Sequence, residues 1–143
     1  MIKKIIMAYL LIVSSVTYAD TLKDQKEIES LAKSVMDLVA KGKFEEGIRL
    51  AKPYVVIPDH EIEGMINAYK MQAPAIEQRF GKSIGTELVT IEKSGDSLIL
   101  LMYIQKFEKH AMRWRFYFYK PKNSWILSTF NTDDKIQLMF QTM

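Results

Sequence analysis

Apolar residues recur every three or four positions through the first half of the chain, the spacing of helices that bury one face. The spacing runs through residues 22–40, returns in residues 44–51, and returns again in residues 59–81. Pro53 ends the second segment. Pro74 is expected to kink or restart the third, because a proline inside a helix removes one backbone hydrogen bond. The pattern predicts three N-terminal helices.

From about residue 87 the apolar residues fall at every second position, which is typical of strands. We predict four antiparallel strands joined by short turns, at about residues 87–93, 97–107, 110–120 and 125–130. A two-residue loop between the second and third strands pairs Phe107 with His110, so Tyr103 lies opposite Trp114. Thr132 is a candidate N-cap for a short C-terminal helix.

This order of elements predicts an α+β fold. Three helices pack on a curved antiparallel sheet of about four strands, the whole is cone-shaped, and a short helix ends the chain. One sheet face collects large apolar side chains and is expected to meet the helices. Its members are Val89, Ile91, Ile99, Leu101, Tyr103, Phe107, Met112, Trp114, Phe116 and Phe118.

The opposite sheet face has an unusual composition, which we interpret as an interface. Half of it is aliphatic and the other half is arginine and tyrosine, residue types enriched where proteins meet. Alternatively, the C-terminal segment folds back over it, or the sheet twist hides it. The predicted interface comprises Leu98, Leu100, Met102, Ile104, Arg113, Arg115, Tyr117 and Tyr119.

Residues 1–19 have the pattern of a removable export signal. Lys3 and Lys4 precede an apolar run at 5–13, and Thr17 and Ala19 put small residues before a cleavage site. The run is too short to cross a membrane, and the chain has no cysteine for a lipid anchor or a disulfide. We therefore expect an exported protein, periplasmic or secreted, with no stable membrane anchor after cleavage, and the alternative is that the segment stays as an uncleaved anchor.

Composition favours one folded domain over residues 20–143. Hydrophobic residues make up 48% and charged residues 26% of the chain, a balance typical of globular proteins. The 20 Lys and Arg face 17 Asp and Glu, and two of the basic residues leave with the leader, so the remainder has a formal charge of +1. That charge argues against a nucleic-acid partner.

The element order resembles the nuclear transport factor 2-like fold, also called cystatin-like α+β, in its small exported bacterial form. The likeness rests on four strings, which are Lys41-Gly42-Lys43-Phe44, Arg79-Phe80-Gly81, the strand Arg113-Trp114-Arg115-Phe116-Tyr117-Phe118-Tyr119, and Trp125-Ile126-Leu127. The resemblance implies a cone-shaped cavity between helices and sheet, where enzymes of the superfamily commonly use an Asp, His or Tyr pair. This sequence contains no fixed motif onto which such a pair can be carried.

Candidate catalytic residues are few. His60 and Tyr103 are the two that we would test first, although a capping or exposed role suits His60 better. A zinc-protease helix beginning at His60 is excluded, because it needs a second histidine where Gly64 stands. With two histidines and no cysteine, the sequence predicts no metal and no cofactor.

A ligand pocket is conceivable inside the cone. Its polar tips would come from Tyr54, Tyr69, Tyr103, Gln105 and Trp114. The alternative is that these side chains fill the core and satisfy one another, the backbone or water.

Two arginines on the opposite sheet face are a separate candidate site. Arg113 and Arg115 alternate on one strand, so together they can bind an anion, or they can pair with Glu87 or Glu92.

The sequence therefore leads us to expect an exported, non-catalytic binding protein. Its partner would be a second copy, an envelope protein or a small apolar ligand. One alternative is a cavity enzyme, such as an isomerase, dehydratase or hydrolase, using Tyr103, Trp114 and His60. Another is a modulator or inhibitor of an envelope protein.

Overall fold

The computed structural model describes residues 19–140 and confirms the α+β class. Three helices pack with one four-stranded antiparallel sheet. Except for Ala19, the predicted export signal lies outside the described residues. Within residues 19–140, no helix combines the length and the apolar character that a membrane span requires.

Helix α1 is Gln25–Ala40, so it begins three residues later than predicted. The Asp24 side chain caps it by accepting from the Glu27 N–H at 2.9 Å. Residues before the cap cannot be helical because Leu22 forms a bridge with Trp125. The helix ends at Ala40, and Gly42 follows it with a φ of 75°, the left-handed conformation that glycine adopts without strain.

Helices α2 and α3 are Phe44–Ala51 and Asp59–Phe80, with a 3-10 turn at Lys52–Tyr54 between them. Helix α3 runs through Pro74 without interruption, so the expectation that it restarts there is wrong. The carbonyl that Pro74 leaves unpaired belongs to Lys70, which is exposed and can bond water instead.

The sheet has the order β1-β2-β3-β4 and consists of four strands, which are Ser83–Ser94, Leu98–Phe107, Ala111–Tyr119 and Ile126–Asp133. Strands β2 and β3 pair in the predicted register. The Phe107 N–H donates to the His110 carbonyl at 2.8 Å, and Tyr103 lies opposite Trp114.

Strand β1 departs from the prediction. It begins four residues early and contains two irregularities, one between Ser83 and Gly85 and one between Leu88 and Thr90. The second inserts Val89 as an extra residue, so Val89 leaves the predicted core face and is 45% exposed. Met112, also predicted on that face, is only half-buried.

The core lies between the helices and the inner face of the sheet, as the pattern predicts. Its largest fully buried side chains are Trp114, Phe116, Phe118, Ile28, Met36 and Ile48. Helix α1 packs on α2 and on the first two strands. The predicted last helix is instead a 3-10 turn at Ile136–Phe140, next to β3, because β4 continues to Asp133 and includes the expected cap, Thr132.

Candidate functional site

A groove of about 580 Å³ lies between α3 and strands β3 and β4. Helix α3 contributes a stripe of side chains spaced by three or four residues, which includes Met65, Ala68, Tyr69, Gln72, Ala75 and Ile76. The stripe continues to Arg79, so the helix borders the groove over about 22 Å at about 1.5 Å per residue. The groove is therefore long and narrow.

Aromatic and aliphatic side chains form most of the remaining wall. Trp114 and Met112 of β3 line it, and so does Phe130 of β4. At one end the Phe44 ring stacks on the Tyr69 ring, with centroids 3.7 Å apart and planes 7° from parallel. Small-molecule sites are usually mostly apolar clefts with a volume of about 300–1,000 Å³.

Helix α3 is packed against the rest of the fold near both ends and, at its middle, through the stack of Tyr69 on Phe44. Ile62 and Ile66 are buried near the start of the helix. At its other end the centroids of the Phe80 and Phe107 rings are 5.9 Å apart. Between the two ends the side chains that face the groove include the small residues Ala68 and Ala75, both exposed. Short side chains leave the space between helix and sheet unfilled.

The charged groups at the rim are already paired. Asp133 accepts from Arg113 Nε at 2.6 Å and from Arg115 Nη2 at 3.0 Å. The hydrogen bonds from Arg113 lower the pKa of Asp133, so its carboxylate stays ionised. Arg79 lies 4.0 Å from Asp134. Among residues 19–140, we find no free acid and base that converge in the groove.

The arginine pairing corrects a prediction. Arg113 and Arg115 were expected to bind an anion or to pair with Glu87 or Glu92, and their partner is Asp133. Glu87 lies instead 3.7 Å from Lys106. Asp133 was expected in a helix and is the last residue of β4, directly opposite Arg113.

The five predicted pocket residues do not form one pocket. Tyr69 and Trp114 line the groove. Tyr69 and Gln105 both line a second cleft, of about 420 Å³, on the β1–β2 side of α3. Tyr54 lies in a third cleft, beside α1. Tyr103 is buried, and burial raises its pKa to about 12, with Glu29 and Asp37 adding to the effect.

Gln105 and Trp114 satisfy each other inside the core. The indole N–H of Trp114 donates to Gln105 Oε1 at 3.2 Å. The Gln105 amide donates to Ser83 Oγ at 3.1 Å and to the Val39 carbonyl at 3.4 Å. These polar tips therefore hold the core together, as in the core-filling alternative. By contrast, the Thr132 hydroxyl at the groove is buried and has no hydrogen-bond partner among the described residues.

The two candidate catalytic residues are not brought together. His60 is exposed in the first turn of α3, whereas Tyr103 is in the core. Within residues 19–140, no cluster of three His, Asp or Glu side chains is arranged to hold a metal ion.

The outer sheet face carries all eight residues of the predicted interface, in the predicted register. Leu98 and Tyr119 are directly opposite each other and are 48% and 40% exposed. Leu100, Met102, Ile104, Arg115 and Tyr117 are half-buried, and Arg113 is buried. The face is thus most accessible at its Leu98–Tyr119 end.

Sequence reasoning missed several groove residues, above all Ala68, Ala75 and the end of β4. The available signal was the pair of alanines in the apolar stripe of α3, which marks a place where a helix cannot fill its surroundings.

Comparisons with protein-family models, with curated proteins and with solved structures found no match to this chain. The likeness to the nuclear transport factor 2-like fold therefore stays a prediction from the order of elements.

Proposed function

We propose that this chain is an exported, non-catalytic protein that binds an apolar group in the groove between α3 and strands β3 and β4. The observation that carries the proposal is the chemistry of the groove. Its walls are mostly aromatic and aliphatic, its volume suits a ligand, and the ionised groups at its rim are paired with one another. A cavity enzyme would need a polar pair aimed at a bound substrate.

Binding of the fluorescent probe 1-anilinonaphthalene-8-sulfonate to the purified protein tests this proposal. We expect a saturable rise in probe fluorescence as the naphthalene ring enters the groove. Ala75→Trp fills the groove from an exposed helix position and should weaken binding at least about tenfold by occluding it.

The matched control is Met71→Trp, which adds an indole to α3 at a residue that is 84% exposed and does not line the groove. It should bind the probe as the wild type does. Equal loss in both variants, or no saturable binding by the wild type, would refute the groove as a binding site.

We also propose a second mode of action, the association of two copies through the outer sheet face. Two observations favour it. The exposed pair of Leu98 and Tyr119 adds apolar area to this face, and Asp133 offsets one of the two positive charges of Arg113 and Arg115, which reduces repulsion between like copies. Sedimentation of the wild type and of Leu98→Glu tests it. A dimer that dissociates in the variant supports the proposal, and a monomeric wild type at high concentration contradicts it.

A further inference from the structure

The outer edge of β4 has two halves. Other segments of the chain cover the first by backbone pairing, and the second is uncovered in the sense that its backbone groups have no such partner. Leu22 and Trp125 exchange two backbone hydrogen bonds, of 2.8 and 2.7 Å, just before the strand begins. Val55 forms a parallel bridge with Leu127, and the Val56 N–H donates to the Leu127 carbonyl at 3.4 Å. Short extended segments therefore already add to this edge.

The second half begins after an irregularity in the pairing of β3 with β4 near Phe118. In antiparallel pairs, backbone groups alternate between pointing at one neighbour and at the other. The hairpin bond from Phe107 to His110 fixes this phase, and it directs the N–H and C=O of Arg113 and Arg115 toward β4.

Their partners on β4 are Asp133 and Asn131, which therefore direct their own groups toward β3. The backbone N–H and C=O groups of Phe130 and Thr132 must therefore point away from β3, toward the free edge of the sheet. Within residues 19–140, no backbone hydrogen bond reaches these outward groups. An unpaired backbone group with limited access to water is unfavourable. Phe130 is 4% exposed and Thr132 is half-buried, and both residues line the groove, so the groove is the side from which they can be reached.

The opposite edge of the sheet shows how an edge is normally protected. Strand β1 carries two bulges and the charged residues Glu87, Glu92 and Lys93, all devices that prevent another strand from adding. The uncovered half of β4 has the sequence Thr129-Phe130-Asn131-Thr132, with no charge, no proline and no glycine. Apart from the irregularity near Phe118 where it begins, it lacks the features that protect β1.

This unprotected edge borders the groove. Five consecutive residues, from Phe130 to Asp134, line it. Because neighbouring residues of a strand face opposite sides of the sheet, a run of both parities indicates that the groove extends to the strand's outer edge. The apolar stripe of α3 forms the other wall.

We propose that the natural ligand of the groove is an extended peptide segment with apolar side chains at alternate positions, which adds to β4 as a fifth strand. This inference rests on the proposed function. Its main chain pairs with Phe130 and Thr132, and its apolar side chains lie against α3. The four residues from Thr129 to Thr132 extend over about 14 Å at about 3.4 Å each, which is within the length of the groove.

A pair of synthetic peptides tests the inference. The first is an eight-residue peptide of alternating valine and lysine with blocked ends, in which valine supplies the apolar face and lysine keeps it soluble. The second is the same peptide with its four central backbone amide nitrogens methylated. Methylation removes the N–H donors on both edges of the peptide strand and leaves every side chain in place. We expect the methylated peptide to bind the wild-type protein about tenfold more weakly or worse.

Hydrogen exchange of backbone amides supplies a second readout. The unmethylated peptide should slow exchange of the Phe130 and Thr132 amides. Thr132→Pro removes one outward N–H that the pairing with β3 does not use, and it should weaken peptide binding. If this variant fails to fold, the comparison of the two peptides on the wild type still decides.

The outcomes separate the two proposals. Equal affinity for both peptides, with no slowing of exchange, overturns strand addition and leaves the groove as an apolar site. Binding of the naphthalene probe but of neither peptide does the same, and points to a small apolar ligand. If neither probe nor peptide binds, both proposals fall.

Discussion

Arg113 and Asp133 face each other across β3 and β4 and form a two-pronged ion pair, with Nε to Oδ1 at 2.6 Å and Nη2 to Oδ2 at 2.9 Å. The Arg113 side chain is 7% exposed and the Asp133 side chain 24%. A guanidinium in this position has few other partners. The pair therefore joins the last strand to its neighbour at the point where the groove ends.

Asp133→Asn should destabilise the protein by about 2 to 3 kcal/mol, because it leaves the buried charge of Arg113 without its counter-ion. Asp37→Asn breaks an exposed pair with Lys33 and should cost no more than about 0.5 kcal/mol. Urea denaturation of both variants at neutral pH measures the difference. Equal costs would show that the Arg113 pair contributes no more than a surface pair.

The same pair makes a pH prediction. The pKa of Asp133 is lowered in the fold, so its contribution is complete above the ordinary value of 3.8 and is lost as the pH falls through the lower folded value. The gap in unfolding free energy between wild type and Asp133→Asn should stay constant from neutral pH to about pH 5 and narrow below 3.8. A gap that widens on acidification would contradict this.

Gln105→Leu keeps a similar side-chain volume but removes the acceptor for the indole of Trp114, which is 1% exposed. We expect a loss of about 1 to 3 kcal/mol from the unpaired N–H. Gln78→Leu, on the exposed surface of α3, should stay within about 0.5 kcal/mol of the wild type. Thermal and urea unfolding both report the difference, and a neutral Gln105→Leu would mean that this hydrogen bond contributes nothing net.

Gly81→Ala and Gly64→Ala should change stability in opposite directions. Gly81 ends α3 with φ at 82°, and an added Cβ would come within 2.8 Å of Glu108 Cβ. Strain and contact together should cost about 1 to 3 kcal/mol. Gly64 lies within α3, where a Cβ meets nothing within 4 Å, so alanine should stabilise the helix by about 0.5 to 1 kcal/mol. Equal effects would show that the Gly81 backbone relaxes without cost.

The raised pKa of Tyr103 leads us to expect that the free energy of unfolding falls in alkali. Its pKa is raised to about 12, so the fold favours the protonated phenol. That contribution is complete below the ordinary value of 10.0 and is lost as the pH rises to about 12. Tyr103→Phe should lose stability less steeply over this interval in denaturation series. An equally steep decline in the variant would mean that other groups cause it.

Local features of the fold could be predicted from the sequence and long-range ones could not. The bounds of α2 follow from Pro53, and the β2–β3 register follows from a two-residue loop. The bulge at Val89 and the bridge from Leu22 to Trp125 depend on how distant segments pair, which alternation of apolar residues does not encode.

The candidate site shows the same division. The placement of Trp114 on the inner face was predictable from alternation. The hydrogen bond from its indole to Gln105 and the ion pair of Arg113 with Asp133 depend on which polar group is nearest after packing. The groove itself depends on the small side chain of Ala75 and on the spacing between helix and sheet set by the packing of Phe80 on Phe107. Only the first is visible in the sequence.

The bridge from Leu22 to Trp125 joins segments from opposite ends of the chain. Closing so large a loop is entropically costly, so this contact should form late, after the hairpins between neighbouring strands. During synthesis the segment around Leu22 cannot make this contact until Trp125, 103 residues further along the chain, has left the ribosome. A nascent chain of this topology therefore lacks the contact that closes the edge of β4 for most of its translation.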